Sequence, residues 1–234
     1  MNKTIVSIFT LIILFSLIIT GAAGIAGYKK FQLMPKDDSA SNKEFMQFIS
    51  KFKKDVKDKN IESLKKSIAP DVAYTVADAY GIKGFLKIWK LDKNPDSSEF
   101  WGEMGKVLSM GSAYYNEEKT SFAYPYLFVT FPSDYDSFEF AAVTAKKVNV
   151  RKTASSKSPV IETLYYEIVK PVNTEADPKK EKIDDFTGIW IQVITSAGKE
   201  GYIFSRYIHS PIGYRAIFEK KGNIWQMTAF VSGD

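Results

Sequence analysis

The side chains that most often do chemistry are scarce in this chain. Its 234 residues include no cysteine and a single histidine, His209. A catalytic thiol, a disulfide and a cysteine-based metal site are therefore excluded. His209 is the only candidate base for a Ser-His-Asp triad, but it stands beside Ser210 and Pro211, and no Gly-x-Ser-x-Gly motif accompanies it. We therefore expect no catalytic role for His209.

The acidic residues form no complete metal or catalytic motif. Asp134 and Asp136 alternate in a turn but lack the fuller Asp/Asn ladder of a calcium loop. The pair Asp184-Asp185 stands in a polar run, where solvated carboxylates are more usual than the paired acids of a glycosidase. One histidine cannot supply a typical zinc site, and neither glycine-rich phosphate-binding motif is present. We predict no catalytic residue, no metal and no cofactor, although calcium bound by carboxylates stays open.

Composition indicates a globular protein with a mildly basic surface. Lys and Arg exceed Asp and Glu by 32 − 27 = 5, which favours weak adhesion to anionic surfaces and does not by itself indicate nucleic acid. Hydrophobic residues make up 45% and aromatic residues 15% of the chain, enough for a packed core. The length allows one large domain or two small ones.

The first 27 residues have the pattern of an export segment. Lys3 precedes an apolar run, residues 5–19, and small residues follow. This pattern is typical of a signal peptide, with cleavage after Ala23 or Gly24. As a helix, residues 5–27 would be about 35 Å long and would cross a hydrocarbon core of about 30 Å, so an uncleaved membrane anchor is the alternative. In both cases we expect the rest of the chain to be exported, to a periplasmic or extracellular location.

A linker and an amphipathic helix are predicted next. Residues 28–43 have no hydrophobic period and are rich in polar residues, which favours a linker. Phe45, Ile49, Phe52 and Val56 then fall on one face of a helix whose other faces carry lysines. This helix is expected to face a core, and a position on a membrane surface is the alternative.

Two further helices have recognisable ends. Asn60 is a suitable cap for a short helix whose end is marked by Pro70. Asp96 with Glu99 three residues later resembles a capping box, and Gly111 is well placed to stop the helix that follows.

The hydrophobic period then changes to that of strands. Residues 113–115, 122–131 and 138–143 are rich in aromatic and β-branched residues and are separated by polar turns. Helices followed by antiparallel strands predict an α+β domain over residues 44–145. This order is similar to the cone-like fold of cystatin-like and nuclear-transport-factor-like domains, although it carries no diagnostic motif. The resemblance implies a cone-like first domain, and such folds can enclose ligands.

Short apolar motifs follow one another between residues 146 and 209. They are Val148-Asn149-Val150-Arg151, residues 159–164, residues 190–193, a turn at Gly198, and residues 201–208. Each clusters or alternates apolar residues over a few positions, which predicts short strands around a small core.

In this order the motifs resemble a bacterial SH3 domain. The resemblance implies a small all-β barrel of the cell envelope that binds cell-wall peptides or glycan. Enzymes with such modules commonly carry a separate Cys-His or zinc hydrolase domain, which this chain lacks. Residues 173–188 depart from the family pattern; they are polar and are predicted to be a solvated, inserted loop, with a binding loop as the alternative.

Ligand-binding residues are expected among the aromatic side chains of the barrel and in its opening motif. Alternate residues of a strand face inward, so about half of the aromatic residues are core. The hydroxyl groups of Tyr202 and Tyr207 suit a wet groove. The predicted ligand-binding residues are Tyr165, Trp190, Tyr202, Tyr207 and Arg151.

The chain continues after the SH3-like stretch with the pattern of a hairpin. Two strand-like runs flank a turn at residues 220–223. Because a lone hairpin is marginally stable in water, it must pair with another sheet, and the strands before Ala145 are the expected partner. We predict that residues 146–209 are an insertion and that residues 210–234 complete the first domain. A simple tandem arrangement is the alternative.

Three functions are compatible with these features. The first is a non-enzymatic exported protein whose SH3-like module binds a cell-wall peptide or glycan or an envelope protein, with no nucleic-acid partner and membrane contact only through its N-terminal segment. The second is an enzyme or small-ligand binder with a pocket in the first domain, for which Tyr74, Asp78 and Tyr126 are candidates. The third is a structural or assembly protein with an exposed apolar interface.

Overall fold

The computed structural model of the protein describes residues 27–75, 79–172 and 178–233. The predicted export segment up to residue 26 lies outside these ranges, as do Asp78 and residues 173–177. Within them, no helix is both long enough and apolar enough to cross a membrane.

The chain has a mixed α+β architecture, in which the α-helices of the described residues lie before residue 131 and most strands follow them. The helices are α1 (Lys43–Lys57), α2 (Ile61–Leu64), α3 (Ile82–Ile88), α4 (Phe100–Ser109) and α5 (Leu127–Thr130). The strands are β1 (Ile68–Ala73), β2 (Ala113–Tyr114), β3 (Ser121–Tyr124), β4 (Ala141–Val143), β5 (Val148–Arg151), β6 (Val160–Leu164), β7 (Ile168–Pro171), β8 (Glu181–Ile183), β9 (Phe186–Gly188), β10 (Trp190–Ile194), β11 (Glu200–Phe204), β12 (Ile208–His209), β13 (Arg215–Lys221) and β14 (Ile224–Val231).

Helix α1 faces the core, as its apolar stripe predicts. The Asn42 side chain caps it by accepting a hydrogen bond from the Phe45 amide, which satisfies a donor that the first helical turn cannot pair. Phe45, Ile49 and Phe52 are buried, and the rings of Phe45 and Phe122 stack with centroids 3.9 Å apart. The stripe is therefore covered by the sheet of the first domain, and the membrane-surface alternative is wrong.

The ends of the other helices are set partly by different residues from those predicted. Asn60 does cap α2, with its side-chain oxygen accepting from the Ser63 amide. The Asp96–Glu99 capping box is wrong: it is the Ser98 hydroxyl that accepts from the Phe100 amide at the start of α4. Gly111 follows α4 with a φ of +81°, a conformation that costs glycine little and other residues more.

The first sheet has the strand order β1-β14-β13-β3-β2, and it is not wholly antiparallel. Strand β1, which the sequence did not reveal, runs parallel to β14 and pairs Ile68 with Met227. Pro70 lies inside this edge strand instead of marking a helix end. Proline is tolerated there because one side of an edge strand needs no ladder hydrogen bonds.

The strand predicted over residues 122–131 is shorter than expected. Strand β3 ends at Tyr124, and the next residue, Pro125, has no amide hydrogen to continue the ladder. Residues Leu127–Thr130 then form α5. The apolar character of the run therefore comes from burial in two different elements, because Tyr124, Tyr126 and Leu127 are all buried.

The C-terminal hairpin lies inside the first sheet. Strand β13 pairs on one side with β14 and on the other with β3, where Ile217 lies opposite Ala123. Phe218, Trp225 and Phe230 are buried in the same core as α1 and α4. Both strands of the hairpin therefore have a partner in the first sheet, since β14 pairs with β1 and β13 pairs with β3.

A second sheet of the described chain runs in the order β12-β4-β7-β10-β11-β5-β6. Its core cluster includes Val143, Val150, Val193 and Ile203. Strand β4, predicted to belong to the first domain, joins this sheet by pairing with β7 and β12. The sequence predicts a strand at residues 138–143 but not which strands it pairs with, because a buried strand of three residues carries no information about its partner.

The run at residues 173–188 is more than a solvated loop. Strands β8 and β9 pair antiparallel, with Lys182 opposite Thr187. The strands contain polar residues because the hairpin lies at the surface, where Lys182 and Thr187 are exposed.

The segment predicted as a linker packs where the two sheets meet. The Leu33 amide donates to the Tyr166 carbonyl at 2.7 Å, and the Tyr126 hydroxyl donates to the Leu33 carbonyl at 2.8 Å. Leu33 belongs to a small apolar cluster with Tyr126, Leu127 and Ala142. Most residues of this segment are exposed, which explains its polar composition. A few buried contacts hold its backbone in place.

We predict that Phe218→Ala destabilises the protein by about 3–5 kcal/mol, the usual cost of removing a buried phenylalanine. Phe218 is fully buried, and its ring lies 5.1 Å from that of Phe52. Urea unfolding measures the change. Ile224→Ala is the matched control in the same hairpin, because Ile224 is 63% exposed. Equal losses in the two variants would contradict burial of the hairpin in this core.

Candidate functional site

A cavity of about 250 Å³ opens on the second sheet. Strand β5 supplies Asn149 and Arg151, β10 supplies Trp190, and the turn after β11 supplies Tyr207. Strand β6 has one extra residue, Ile161, opposite the step from Val150 to Arg151, so the pairing of β5 with β6 changes register at this point. Such irregularities are common beside functional sites.

Glu181 connects three parts of the cavity wall. The Trp190 indole Nε1–H donates to the Glu181 carboxylate at 2.6 Å. The Ser156 amide and hydroxyl also donate to this carboxylate. These hydrogen bonds lower the pKa of Glu181, and the bond from the Ser156 hydroxyl contributes most. The β8–β9 hairpin is thereby held against β10, and its Ile183 lines the cavity.

The cavity wall is cationic and aromatic. Lys146, Lys147 and Arg151 line it, together with Trp190 and Tyr207. Arg151 Nη1 donates to the Ser158 carbonyl at 2.6 Å, which fixes the direction of the guanidinium group. A fixed guanidinium can bind a carboxylate or phosphate, and the aromatic rings offer apolar surface to the rest of a ligand.

The cavity brings together some of the predicted ligand-binding residues and not others. Arg151, Trp190 and Tyr207 line it. Trp190 is 7% exposed, so it acts mainly as part of the wall. Tyr202 lies opposite Arg151 on β11 but does not line this cavity, and Tyr165 lies just after β6, exposed, outside it.

Sequence analysis missed several residues of the wall. They are Lys146, Lys147, Asn149, Ser156 and Ile183. The two lysines immediately precede the opening motif Val148–Arg151. Their position in the sequence could have indicated a cation-lined site there. Ile183 carried no such signal, because its role depends on the distant contact between Glu181 and Trp190.

The candidates in the first domain do not form one site. Tyr126 is buried, and its hydroxyl donates to Leu33. Tyr74 lines a different cavity, of about 410 Å³, beside Trp89 and Tyr214. The space between α1, α4 and the first sheet is filled by aromatic side chains, including Phe45, Phe52, Phe100, Phe122 and Phe218.

The sole histidine is a buried residue at the junction of the two sheets. His209 pairs with Ala142 in the second sheet, and its Nε2 lies 3.2 Å from the Tyr214 carbonyl. Burial, with a smaller contribution from the Lys106 charge, lowers the pKa of His209 to about 4. Among the residues that the structure describes, no group of three or more His, Asp or Glu side chains is placed to hold a metal ion.

Comparison with known families matches residues 146–209 to the family described as Bacterial SH3 domain. The predicted resemblance is therefore confirmed, and the matched range contains the cavity and the hairpin that covers part of it. Bacterial SH3 domains are binding modules, often for cell-wall components. Comparisons with curated proteins and with solved structures gave no match for this chain.

The indole of Trp190 is expected to report the ionisation of Glu181. Because its pKa is lowered, Glu181 stays ionised in the folded protein until the pH falls below the usual glutamate range, and the hydrogen bond persists until then. We predict that, in an NMR titration, the indole N–H resonance of Trp190 shifts only at a pH below the usual glutamate range. In Glu181→Gln this titration should vanish. A shift that survives unchanged in the variant would assign the titration to another group.

Acid should destabilise the protein through His209. Its pKa is lower in the folded state, so the unfolded chain takes up the proton first, and stability is lost as the pH falls from 6.5 towards about 4. We predict that His209→Gln, whose amide can still donate to the Tyr214 carbonyl, loses less stability between pH 7 and pH 5 than the natural protein. Urea midpoints at the two pH values measure this. Equal losses would show that His209 does not contribute.

Proposed function

We propose that the bacterial SH3 domain at residues 146–209 is the working part of a non-enzymatic protein of the bacterial envelope, and that it binds a cell-wall peptide or glycan. The cationic and aromatic cavity on its sheet supports this proposal most directly. In this proposal the second sheet closes as a small barrel, and the first domain is a cone-like scaffold that holds it.

The chemistry of the cavity favours a ligand that carries a negative group. Lys146, Lys147 and Arg151 supply positive charge, and no carboxylate lines the cavity among the described residues. Peptide and glycan components of a cell wall bear carboxylates on polar, partly apolar frames. Arg151 is the residue expected to pair with such a carboxylate, and Tyr207 is expected to contact the adjoining frame.

Export is part of the same proposal. The apolar segment at residues 5–27, as a cleaved leader or an anchor, would place the SH3 domain outside the inner membrane. In that location the domain would have access to the cell wall and would not encounter nucleic acid. An envelope protein is the alternative partner for the same cavity.

Purified peptidoglycan tests the proposal by co-sedimentation with the chain from residue 27 onwards. We predict that the protein pellets with peptidoglycan and that Arg151→Gln weakens binding about tenfold, because a charge-assisted contact is worth about 1.4 kcal/mol or more. Lys152→Gln is the matched control: it removes the same charge from the next residue, which is exposed and outside the cavity.

The outcomes separate the partners. Binding that both substitutions weaken equally would show general charge attraction and would contradict a site at Arg151. Retention by an envelope extract without binding to peptidoglycan would identify a protein partner. Failure in both assays, with the thermal unfolding of the protein intact, would remove the binding function.

A further inference from the structure

Two cavities outside the SH3 site meet across helix α4. The larger, of about 860 Å³, lies between α1, α4 and residues 35–37. The other, of about 510 Å³, lies between α4 and the second sheet. Gly102, Ser109 and Met110 line both cavities, so the two adjoin on the helix surface.

Cationic side chains line both sides of this path. Lys53 and Lys57 line the larger cavity, and Lys106 and Arg206 line the smaller one. Within the described ranges, none of these four residues forms a salt bridge. Instead Lys53 lies over the Tyr124 ring, and Arg206 lies over the Phe186 ring.

Carboxylates offset part of this charge without forming a salt bridge to these four cations among the described residues: Asp37 acts on Lys53, Asp58 on Lys57 and Glu103 on Lys106. Asp37 accepts hydrogen bonds from the Ser39 amide at 3.1 Å and from the Ser112 hydroxyl at 2.7 Å. Asp185 is exposed and has no salt-bridge partner among the described residues. The two other lysines of the larger cavity are already engaged, Lys36 with Asp38 and Lys59 with the Asp96 carbonyl.

Lys106 is the residue that most needs a negative partner. Its ammonium group donates to the Ser205 carbonyl at 3.4 Å, a long contact, and burial lowers its pKa. The charge of Glu103 offsets this effect only in part, so an anion beside the half-buried Lys106 would gain a favourable interaction with its ammonium group.

The helix surface between the cavities is open to a ligand. A Cβ atom added at Gly102 or at Gly105 would meet nothing within 4 Å. Beneath this open surface, the buried side chains of Trp101 and Leu108 give the larger cavity an apolar floor.

We propose that this path across α4 binds a linear phosphate polymer. Cations on both sides of one helix suit an elongated ligand with repeated negative groups. Three of these four cations are lysines, whose compact ammonium groups bind phosphate as point charges without the planar geometry that pairs arginine with carboxylates. The path is a second site, independent of the SH3 cavity, although Tyr207 lines both the smaller cavity and the SH3 cavity.

Binding of short-chain linear polyphosphate to the chain from residue 27 onwards, measured by calorimetry, tests this site. We expect the double variant Lys53→Gln/Lys57→Gln and the single variant Lys106→Gln each to weaken binding about tenfold. The matched control is Lys83→Gln/Lys87→Gln, which removes two exposed charges from α3, outside both cavities, and should change binding less than about twofold.

Each contrary result overturns a stated part of the proposal. Equal weakening by the two double variants would show non-specific attraction. Poly-L-glutamate that binds as tightly as polyphosphate would contradict a phosphate ligand. Loss of binding in Arg151→Gln, with no loss in the Lys106 variant, would assign the polymer to the SH3 cavity.

Lys106→Arg guards against a merely structural effect. It keeps the charge and should retain most of the binding, and the unfolding temperature of each variant is measured alongside. If Lys106→Arg binds as weakly as Lys106→Gln while both remain folded, charge at this position is not what holds the polymer.

Discussion

The pairing of the C-terminal hairpin with strands that precede the SH3 domain is the constraint on which the structure depends. Strand β13 lies between β14 and β3, and β14 in turn pairs with β1. A hairpin alone is marginally stable, so most of the free energy that stabilises this one comes from its burial in the first sheet. Phe218 and Phe230 complete a core that α1 and α4 cover from the other side. The chain must therefore leave the first sheet after β3 and return to it for β13.

That return fixes the SH3 domain at both of its ends. Strand β4 enters the second sheet and β12 leaves it, and the two are paired with each other through Ile208 and Val143. The domain is consequently held against α4, where Lys106 reaches the Ser205 carbonyl. A module on a flexible tether would not keep Arg206 and Tyr207 beside that helix. The attachment places the SH3 cavity next to a cation-lined helix surface.

Local sequence patterns predicted the helices and strands that nearby residues determine. They did not predict the elements that depend on contacts with residues far along the chain. The Phe45–Phe52 stripe predicted α1, the Asn60 cap predicted the start of α2, and the ordered motifs predicted the SH3 domain. Strand β1 escaped prediction because Pro70 and the exposed Asp71 break its pattern, and only β14, far along the chain, makes it a strand. The β8–β9 hairpin escaped for the same reason, since Glu181 is fixed by Trp190 and Ser156. In the site, Arg151, Trp190 and Tyr207 were found through their motifs, whereas Tyr165 and Tyr202 show that being aromatic does not tell which side of a strand faces a cavity.

Native-state hydrogen exchange at increasing denaturant tests the interrupted-sheet arrangement most directly, because segments that unfold together share one opening free energy. The arrangement predicts that the amides of β1, β3, β13 and β14 open as one unit, although residues 68–73 and 215–231 are far apart in sequence. The strands β5, β6, β10 and β11 should open as another. If β13 and β14 instead open together with the strands of the SH3 domain and independently of β1 and β3, the hairpin does not close the first sheet, and the account is wrong.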